Sequence, residues 1–196
     1  MRELEQVRDT ILHIFDKESW IRFVHEGLLP SYTSQEKKAN IDMAELSRHC
    51  AICRNINACC FPKRNKPKYP LHPNCHCFLV DIAKPKIIAE CSIEKFNGYI
   101  FAPKYEDNGK IQLYTKWGYD KIDAYYLVKE LTRQAEEKYA SGDFILGLLN
   151  EYGQRISIIT ELERKDGKGI VRFLTGWLVY PDGNIKNTTP YGGDVK

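Results

Sequence analysis

The stretch HCAICRNINACCFPKRNKPKYPLHPNCHC, residues 49–77, contains six of the seven cysteines and three of the five histidines of this 196-residue chain. Such a cluster is typical of a metal site, of a disulfide framework or of a set of buried thiols. The N-terminus lacks the basic start, apolar centre and small-residue cleavage site of a signal peptide, so we expect an intracellular protein with reduced thiols. The odd number of cysteines also disfavours a disulfide framework.

Five side chains in this stretch are candidate metal ligands. Cys50 and Cys53 form a C-x-x-C pair, which places two thiolates on one tight turn, and the second group is His72, Cys75 and Cys77. Zinc prefers four sulfur or nitrogen ligands in a tetrahedral arrangement. We therefore predict a zinc ion held by these four cysteines, or by a set in which His72 replaces one of them.

The predicted zinc site is structural rather than catalytic. A catalytic zinc keeps one position open for water and usually has a carboxylate base nearby, whereas residues 46–80 contain no Asp or Glu. The histidine-x-glutamate element of the nucleobase deaminases is also missing. His76 lies between two candidate ligands and is less suited to bind the ion itself. Cys59, Cys60 and Cys91 are interpreted as small buried residues.

The basic charge of the chain is concentrated around this stretch. Residues 46–96 carry nine Lys or Arg against three Asp or Glu, although the net charge of the whole chain is only +3. A basic patch of this kind can bind nucleic acid or an acidic partner. The alternative interpretation is a solvated loop that balances the negative charge of the metal thiolates. The candidate nucleic-acid-binding residues are Lys63, Arg64, Lys66 and Lys68.

The residues before the cysteine-rich stretch predict helix. In residues 1–30 apolar side chains recur at the three-to-four spacing of an amphipathic helix, and a polar connector then leads to a short second helix at 41–48. No apolar run approaches the roughly 20 residues that are needed to cross a membrane. Three segments result: a helical segment at 1–45, a zinc-binding knuckle at 46–82 and an α+β C-terminal domain at 97–196.

The C-terminal domain is predicted to combine an antiparallel sheet with one long helix. The helix covers residues 120–142, with Asp120 as its N-cap and Asp123 three residues later. Two β-rich runs, 154–162 and 169–180, are joined by the turn-rich ERKDGKG and indicate a long β-hairpin. Further strands are expected at 77–82, 97–103 and 184–191, and the apolar residues 144–153 have no clear secondary structure.

A catalytic C-terminal domain would have to work without histidine or cysteine, because no histidine follows His76 and no cysteine follows Cys91. No glycine-rich phosphate-binding motif is present either. A metal-free ribonuclease can still use Arg, Lys and Tyr side chains to stabilise the charge of its transition state. We name Arg155, Thr175 and Lys186 as candidate catalytic residues. Other polar candidates are Tyr152, Arg172, Thr188, Thr189 and Tyr191.

The cysteine-rich stretch resembles the end of the phage head-morphogenesis family, the Mu F-like minor capsid proteins. The matching motifs are CAICRNINACCFP and YPLHPNCHC, in which LHPNC is the most specific element. The resemblance is confined to this stretch, and the long helical body of the capsid proteins has no counterpart here. It implies a zinc-knuckle module rather than a capsid-assembly function.

Residues 97–196 resemble an uncharacterised domain family that occurs in small bacterial operons and at the C-termini of phage-related and polymorphic toxin proteins. The matching motifs are KWGYDKIDAYYLVKEL, NEYGQRISIITEL and LTGWLVYPDG. The gene context of that family implies a small toxin, by analogy a ribonuclease, although a shared fold does not fix function.

Three functional hypotheses follow, and they leave open whether the protein is an enzyme. The favoured one is a phage- or mobile-element-related zinc-binding protein in the cytoplasm of a bacterial host. It would act as an interaction module with a protein or nucleic-acid partner, no membrane contact and no small-molecule cofactor. The alternatives are a toxin-type, metal-independent ribonuclease in the C-terminal domain and nucleic-acid binding through the basic knuckle.

Overall fold

The computed structural model describes residues 19–46, 49–102 and 109–195. Within these ranges the chain combines helices with two β-sheets, which confirms the predicted α+β class. None of the helices in these ranges has the length and apolar character to cross a membrane. The α-helices are α1 (Ser34–Leu46), α2 (Ala51–Ile56), α3 (Gly109–Lys116) and α4 (Ala124–Ala140). The strands are β1 (Trp20–Val24), β2 (Cys60–Pro62), β3 (Phe78–Ile82), β4 (Ile88–Glu90), β5 (Ile145–Asn150), β6 (Gly153–Glu163), β7 (Ile170–Val179) and β8 (Asn184–Thr189).

The first strand, β1, is the central strand of a small antiparallel sheet of order β2-β1-β3. Trp20 pairs with Pro62 on one side and with Ile82 on the other, so β1 is hydrogen-bonded along both edges. The third strand of this sheet confirms the strand that was predicted at 77–82. The sheet joins the first segment of the chain directly to the cysteine-rich stretch.

The predicted helix over residues 1–30 is wrong where the structure can be compared with it. Residues 1–18 lie outside the described residues, and Trp20–Val24 is a strand. A short apolar run such as WIRFV fits helical and extended spacing equally well. Its β-branched and aromatic side chains favour the extended form, and pairing with strands from residues 60–82 decides for it.

Helix α1 begins earlier than the sequence predicted, inside the stretch that was expected to be a connector. Glu36 accepts hydrogen bonds from the backbone N–H groups of Tyr32 and Thr33 at 2.7 and 2.8 Å. The hydroxyl of Thr33 accepts one from the backbone of Glu36 at 3.2 Å. This reciprocal pair is a capping box, which starts the helix about two turns before the predicted residues 41–48.

The larger sheet has five strands in the order β4-β8-β7-β6-β5 and is antiparallel except that β4 runs parallel to β8. The predicted hairpin is confirmed as β6 and β7, which pair from Arg155 with Leu178 to Glu163 with Ile170. The third predicted strand is β8. The sheet also recruits β4, which lies before the 97–196 segment.

Helix α4 covers one face of this sheet. The predicted Asp120 N-cap is confirmed at the 3-10 turn Lys121–Asp123 that leads into α4: its side chain accepts the backbone N–H of Ile122, and Asp123 completes a capping box. Leu127, Leu131 and other residues at helical spacing are fully buried against the sheet. The single long helix of the predicted fold is therefore present.

One further correction and one assignment left open by the sequence concern apolar segments. The strand expected at 97–103 is wrong over the described residues 97–102, since Phe96–Ile100 is a π-helix. Phe96 and Ile100 are both fully buried, whereas Gly98, which would share their face in a strand, is exposed, so the burial follows helical rather than alternating spacing. The apolar residues 144–153, whose structure the sequence left open, contain edge strand β5.

The two sheets and the helices share a continuous hydrophobic core. Trp20 of the small sheet packs edge-on against Tyr139 of α4, with ring centroids 5.7 Å apart. The Tyr139 hydroxyl donates a 2.6 Å hydrogen bond to the carbonyl of Cys60. The cysteine-rich stretch and the C-terminal segment are thus packed on each other across the boundaries that the sequence suggested.

One lysine lies inside this core. Lys37 of α1 is 1% exposed, its ammonium donates to the carbonyl of Asn55 at 2.6 Å, and it lies 4.7 Å from the ring centroid of Tyr180. Burial lowers the pKa of Lys37 below its ordinary value of 10.5, because the charged form loses hydration that these contacts replace only in part.

Lys37→Met is expected to flatten the pH dependence of stability. Because the folded chain holds the Lys37 proton less tightly than the unfolded chain, the free energy of unfolding rises with pH between the lowered pKa and 10.5. Urea unfolding between pH 7 and pH 10 measures this rise, which should shrink in Lys37→Met. The exposed Lys38→Met is the matched control, and an unchanged rise in Lys37→Met would contradict the assignment.

Candidate metal centre

The first two candidate ligands are presented by α2. Cys50 is the N-cap of this helix, and its Sγ accepts a hydrogen bond from the backbone N–H of Cys53 at 3.4 Å. The C-x-x-C spacing thus places one sulfur at the N-cap and the other at the third helical position, on the same end of the helix. Ile56, at the other end, is fully buried and anchors the helix in the core.

The other three candidate ligands lie on the loop that leads into β3. A turn in which the backbone N–H of Cys75 donates to the carbonyl of His72 at 3.1 Å brings these two residues together. Cys77 is buried directly before β3, and its carbonyl accepts a 2.8 Å hydrogen bond from the Tyr69 hydroxyl. His76 is exposed, as expected for a residue that does not face the cluster.

The five predicted ligands converge on the sulfur of Cys53. Its Sγ lies 3.0 Å from Nε2 of His72 and 3.9 Å from Sγ of Cys75, and the same His72 nitrogen lies 3.1 Å from Sγ of Cys50. Two groups of three share Cys53: one with Cys50 and His72, the other with Cys75 and Cys77. The donor atoms within each group lie within 4.8 Å of one another. These groups can hold a metal ion.

The distances fit tetrahedral coordination by soft ligands. With metal–sulfur bonds of about 2.3 Å, two sulfur ligands of one tetrahedral ion are about 3.8 Å apart, and Cys53 and Cys75 are 3.9 Å apart. A sulfur and a nitrogen ligand would be about 3.5 Å apart. His72 therefore needs to recede by only about 0.5 Å from Cys50 and Cys53 to share an ion with them.

The environment of Cys50 and Cys53 favours the protonated thiol in the absence of a cation. Burial raises the pKa of Cys50. A hydrogen bond with the Cys77 side chain, together with burial, raises the pKa of Cys53 well above its ordinary value. Because the thiolate is the ligand, binding of a metal must release protons. The affinity of the site for a metal is therefore expected to fall as the pH is lowered.

The remaining cysteines lie outside the cluster. Cys59 and Cys60 are fully buried, and burial raises the pKa of Cys59 to about 12. Their thiols contact main-chain carbonyls, which suits small core residues. Cys91 is partly exposed rather than fully buried, which differs from the expectation.

Asn55 ties α2 to the rest of the molecule two residues after the central ligand. Its side-chain amide donates to the carbonyls of Lys37 and Glu151 at 2.9 and 2.5 Å and accepts from Asn40 at 2.8 Å. Glu151 lies in the turn between β5 and β6. The buried side chain of Asn55 therefore links the candidate metal centre, α1 and the five-stranded sheet. Asn55 is one of four asparagines in residues 49–77, and nothing in the sequence distinguishes it from the other three.

The three predicted catalytic residues are not brought together. Arg155 and Lys186 lie on the outer face of the larger sheet, each beside Leu178 in the strand register. Thr175 is fully buried on the opposite face, where its hydroxyl contacts Thr160 at 3.0 Å and accepts the Trp177 indole N–H at 2.8 Å. Thr175 is therefore a hydrogen-bonded core residue, and it lies on the opposite face of the sheet from Arg155.

The four predicted nucleic-acid-binding residues divide into two pairs. Lys63 forms an ion pair with Asp81 at 3.0 Å, and Arg64 donates to the carbonyl of Ser141. Lys66 and Lys68 have no ion pair within the described part of the chain. Within the described residues only Lys63 is paired with a carboxylate, so the basic loop keeps three of these four positive charges for a partner.

The chain matches no family model, no curated protein and no solved structure.

Proposed function

We propose that the metal is zinc and that its role is structural. The observation that carries this proposal is the convergence of four thiols and one imidazole around Cys53, with no carboxylate in either described group of donors. Cysteine and histidine are the ligands of closed structural zinc sites. The donors also lie at the edge of the hydrophobic core, where Cys53 and Cys77 are buried. An ion there joins α2 to the loop before β3.

The protein then serves as a zinc-stabilised macromolecular interaction module. Strand β5 supports this role because it ends the sheet order among the described strands and exposes Ile145 and Leu148, at 53% and 65%. A sheet edge with unpaired backbone groups and apolar side chains is a surface on which a protein segment can add a strand. The partner in this proposal is accordingly a protein.

The resemblances carry the biological setting of the proposal. The LHPNC element and its C-x-x-C pair are similar to the phage head-morphogenesis proteins, so a phage or mobile-element origin and a bacterial cytoplasm are proposed. All seven cysteines are free, which suits a compartment that keeps thiols reduced.

Metal analysis of the native protein tests the zinc proposal. We expect one zinc per chain by inductively coupled plasma mass spectrometry. A strong chelator should lower the melting temperature by about 8 °C or more, the shift for a loss of about 4 kcal/mol in a chain of this size. Restoring zinc, but not magnesium, should recover the original melt. A metal-free protein with an unchanged melt would overturn the proposal.

The ribonuclease alternative is tested in a separate assay. It requires Arg155 and Thr175 to act on one substrate, and the burial of Thr175 on the far face of the sheet favours the interaction module instead. We expect the zinc-loaded protein to leave a labelled RNA intact over hours. Cleavage that is lost in Arg155→Ala but kept in Arg172→Ala would reverse this preference.

A further inference from the structure

A depression on the outer face of the larger sheet is centred on a glycine. Gly176 of β7 pairs with Ser157 of β6 on one side and with Thr189 of β8 on the other. Since neighbouring strands are about 4.8 Å apart, the two hydroxyl-bearing residues flank the glycine across a gap of roughly 10 Å. The missing side chain at Gly176 leaves the floor of the gap open.

A β-bulge adds a second threonine to this depression. The register between β7 and β8 shifts at Gly176, so that Thr188 and Thr189 together oppose one residue of β7. Thr188 Oγ1 lies 3.1 Å from the position that a Cβ of Gly176 would occupy, and Cβ of Thr189 lies 3.4 Å from it. Alternation along a regular strand would place one of the two threonines on the opposite face. The bulge brings both to the same one.

The hydroxyl groups around the glycine have no hydrogen-bond partner in the described part of the chain. This holds for Ser157, Thr188 and Thr189, whereas the buried Thr160 and Thr175 bond to each other. The depression has a volume of about 210 Å³, and Gly192 also lines it. At about 30 Å³ for a water molecule, this space holds a small polar group rather than a whole ligand of ordinary size.

The charge of the depression is positive. Arg155 lines it next to Ser157 on the same face of β6, is exposed, and makes no ion pair within the described residues. Lys95 donates to the carbonyl of Thr188 at 3.1 Å, which places an ammonium group at the rim. No acidic residue is among the described residues that line the depression.

Other cations on this face are already neutralised. Arg172 pairs with Glu161 at 2.9 Å, and Lys186 pairs with Glu90 at 3.0 Å. Arg155 is therefore the guanidinium of this face that remains available to a ligand from solution. Its planar group matches the oxygens of phosphate in a two-point contact, and hydroxyl groups donate to the remaining oxygens.

We propose that the depression formed by Arg155, Ser157, Gly176, Thr188 and Thr189 is a binding site for a phosphate group. The phosphate is either free or carried by a nucleotide. The site is separate from the metal centre, and it goes beyond the proposed interaction function. It requires no metal and no reaction, because the guanidinium supplies the charge and the three hydroxyls supply the orientation.

The test follows backbone amide signals of the zinc-loaded protein by NMR during titration with inorganic phosphate at constant ionic strength. We expect saturable shifts confined to residues around 155–157, 176 and 188–192. Arg155→Gln should weaken binding at least tenfold, as expected when a charge-assisted bidentate contact is removed. Gly176→Ala, which fills the floor of the depression, should weaken it as well. Arg172→Gln, on the same face but already ion-paired, is the control and should bind like the wild type.

The same experiment distinguishes free phosphate from a nucleotide as the ligand, and it distinguishes loss of binding from loss of the fold. Titration with adenosine monophosphate and with a short oligoribonucleotide shows whether a nucleotide adds to the affinity of free phosphate, and either result supports the site. A melting curve for each variant shows that it is folded. Shifts that do not saturate, or that persist equally in Arg155→Gln and Gly176→Ala, would overturn the proposal.

Discussion

Cys53→Ala will abolish stoichiometric metal binding and destabilise the protein more than removal of any other single candidate ligand. Cys53 is the one residue common to both groups of donors, so its loss leaves neither group with three ligands. It is also buried, and its truncation leaves a small cavity beside α2. We expect the free energy of unfolding to fall by about 4 kcal/mol or more, since metal binding energy here is folding energy.

Substitution of the other four candidate ligands is expected to have smaller effects on metal binding and stability. Alanine at Cys50, His72, Cys75 or Cys77 removes a ligand from only one of the two groups. If one of these variants keeps its full zinc content, the substituted residue is not a zinc ligand. This result decides between four cysteine ligands and a set in which His72 replaces one cysteine. Zinc content and chemical unfolding are measured on each purified variant.

Cys91→Ala is the matched control for the thiol itself. Cys91 lies outside the cluster and is partly exposed, so its loss should leave the zinc content at one per chain. Full zinc content in Cys53→Ala would show that the cluster does not bind the ion. A metal-loaded wild type with the same stability as metal-free Cys53→Ala would show that the ion is not structural.

Asn55→Ala is expected to have the next largest effect, a loss of about 3 kcal/mol. The substitution removes three hydrogen bonds, to Lys37, Glu151 and Asn40, at a side chain that is 1% exposed. Two main-chain carbonyls lose this donor, and each unsatisfied buried group costs about 1–3 kcal/mol. The melting temperature should fall by roughly 6–12 °C in a chain of this length.

Asn55→Ala should also loosen the metal site, although Asn55 is not a ligand. The residue lies in α2 two positions after Cys53 and fixes that helix to α1 and to the β5–β6 turn. Zinc should therefore transfer to a chromogenic chelator faster from this variant than from the wild type. Asn97→Ala, at a half-buried position with no side-chain hydrogen bond in the described part of the chain, is the control. If zinc is transferred at the same rate from Asn55→Ala and from Asn97→Ala, Asn55 does not support the metal site.

The candidate metal centre could be predicted because its signal is chemical and local. Cys50 and Cys53 lie three residues apart, and His72, Cys75 and Cys77 lie within one short loop. Ligands that lie so close together in the sequence are expected to lie close together in the folded chain. The same reading could not find Asn55, because its importance comes from partners 18 and 96 residues away along the chain.

The residues of the proposed phosphate site, in contrast, could not be grouped from the sequence. Arg155, Thr188 and Thr189 are polar residues of the C-terminal segment, and the sequence alone does not separate them from Thr175. Strand register separates them: Thr175 points into the core, while a bulge brings Thr188 onto the outer face beside Gly176. A one-residue shift in register moves a side chain to the other face of a sheet, and no local pattern specifies that shift.

The sequence by itself determined the elements that are long and strongly patterned, namely the α4 helix with the Asp120-capped turn before it and the β6–β7 hairpin, together with the Cys/His cluster that can hold a metal ion. Their signals come from neighbours in the chain, through capping, turn chemistry and ligand spacing. Tertiary structure alone decided that Trp20–Val24 is a strand and that Phe96–Ile100 is a π-helix. Short apolar runs satisfy either geometry, and the choice falls to whichever distant partner buries them and completes their backbone hydrogen bonds.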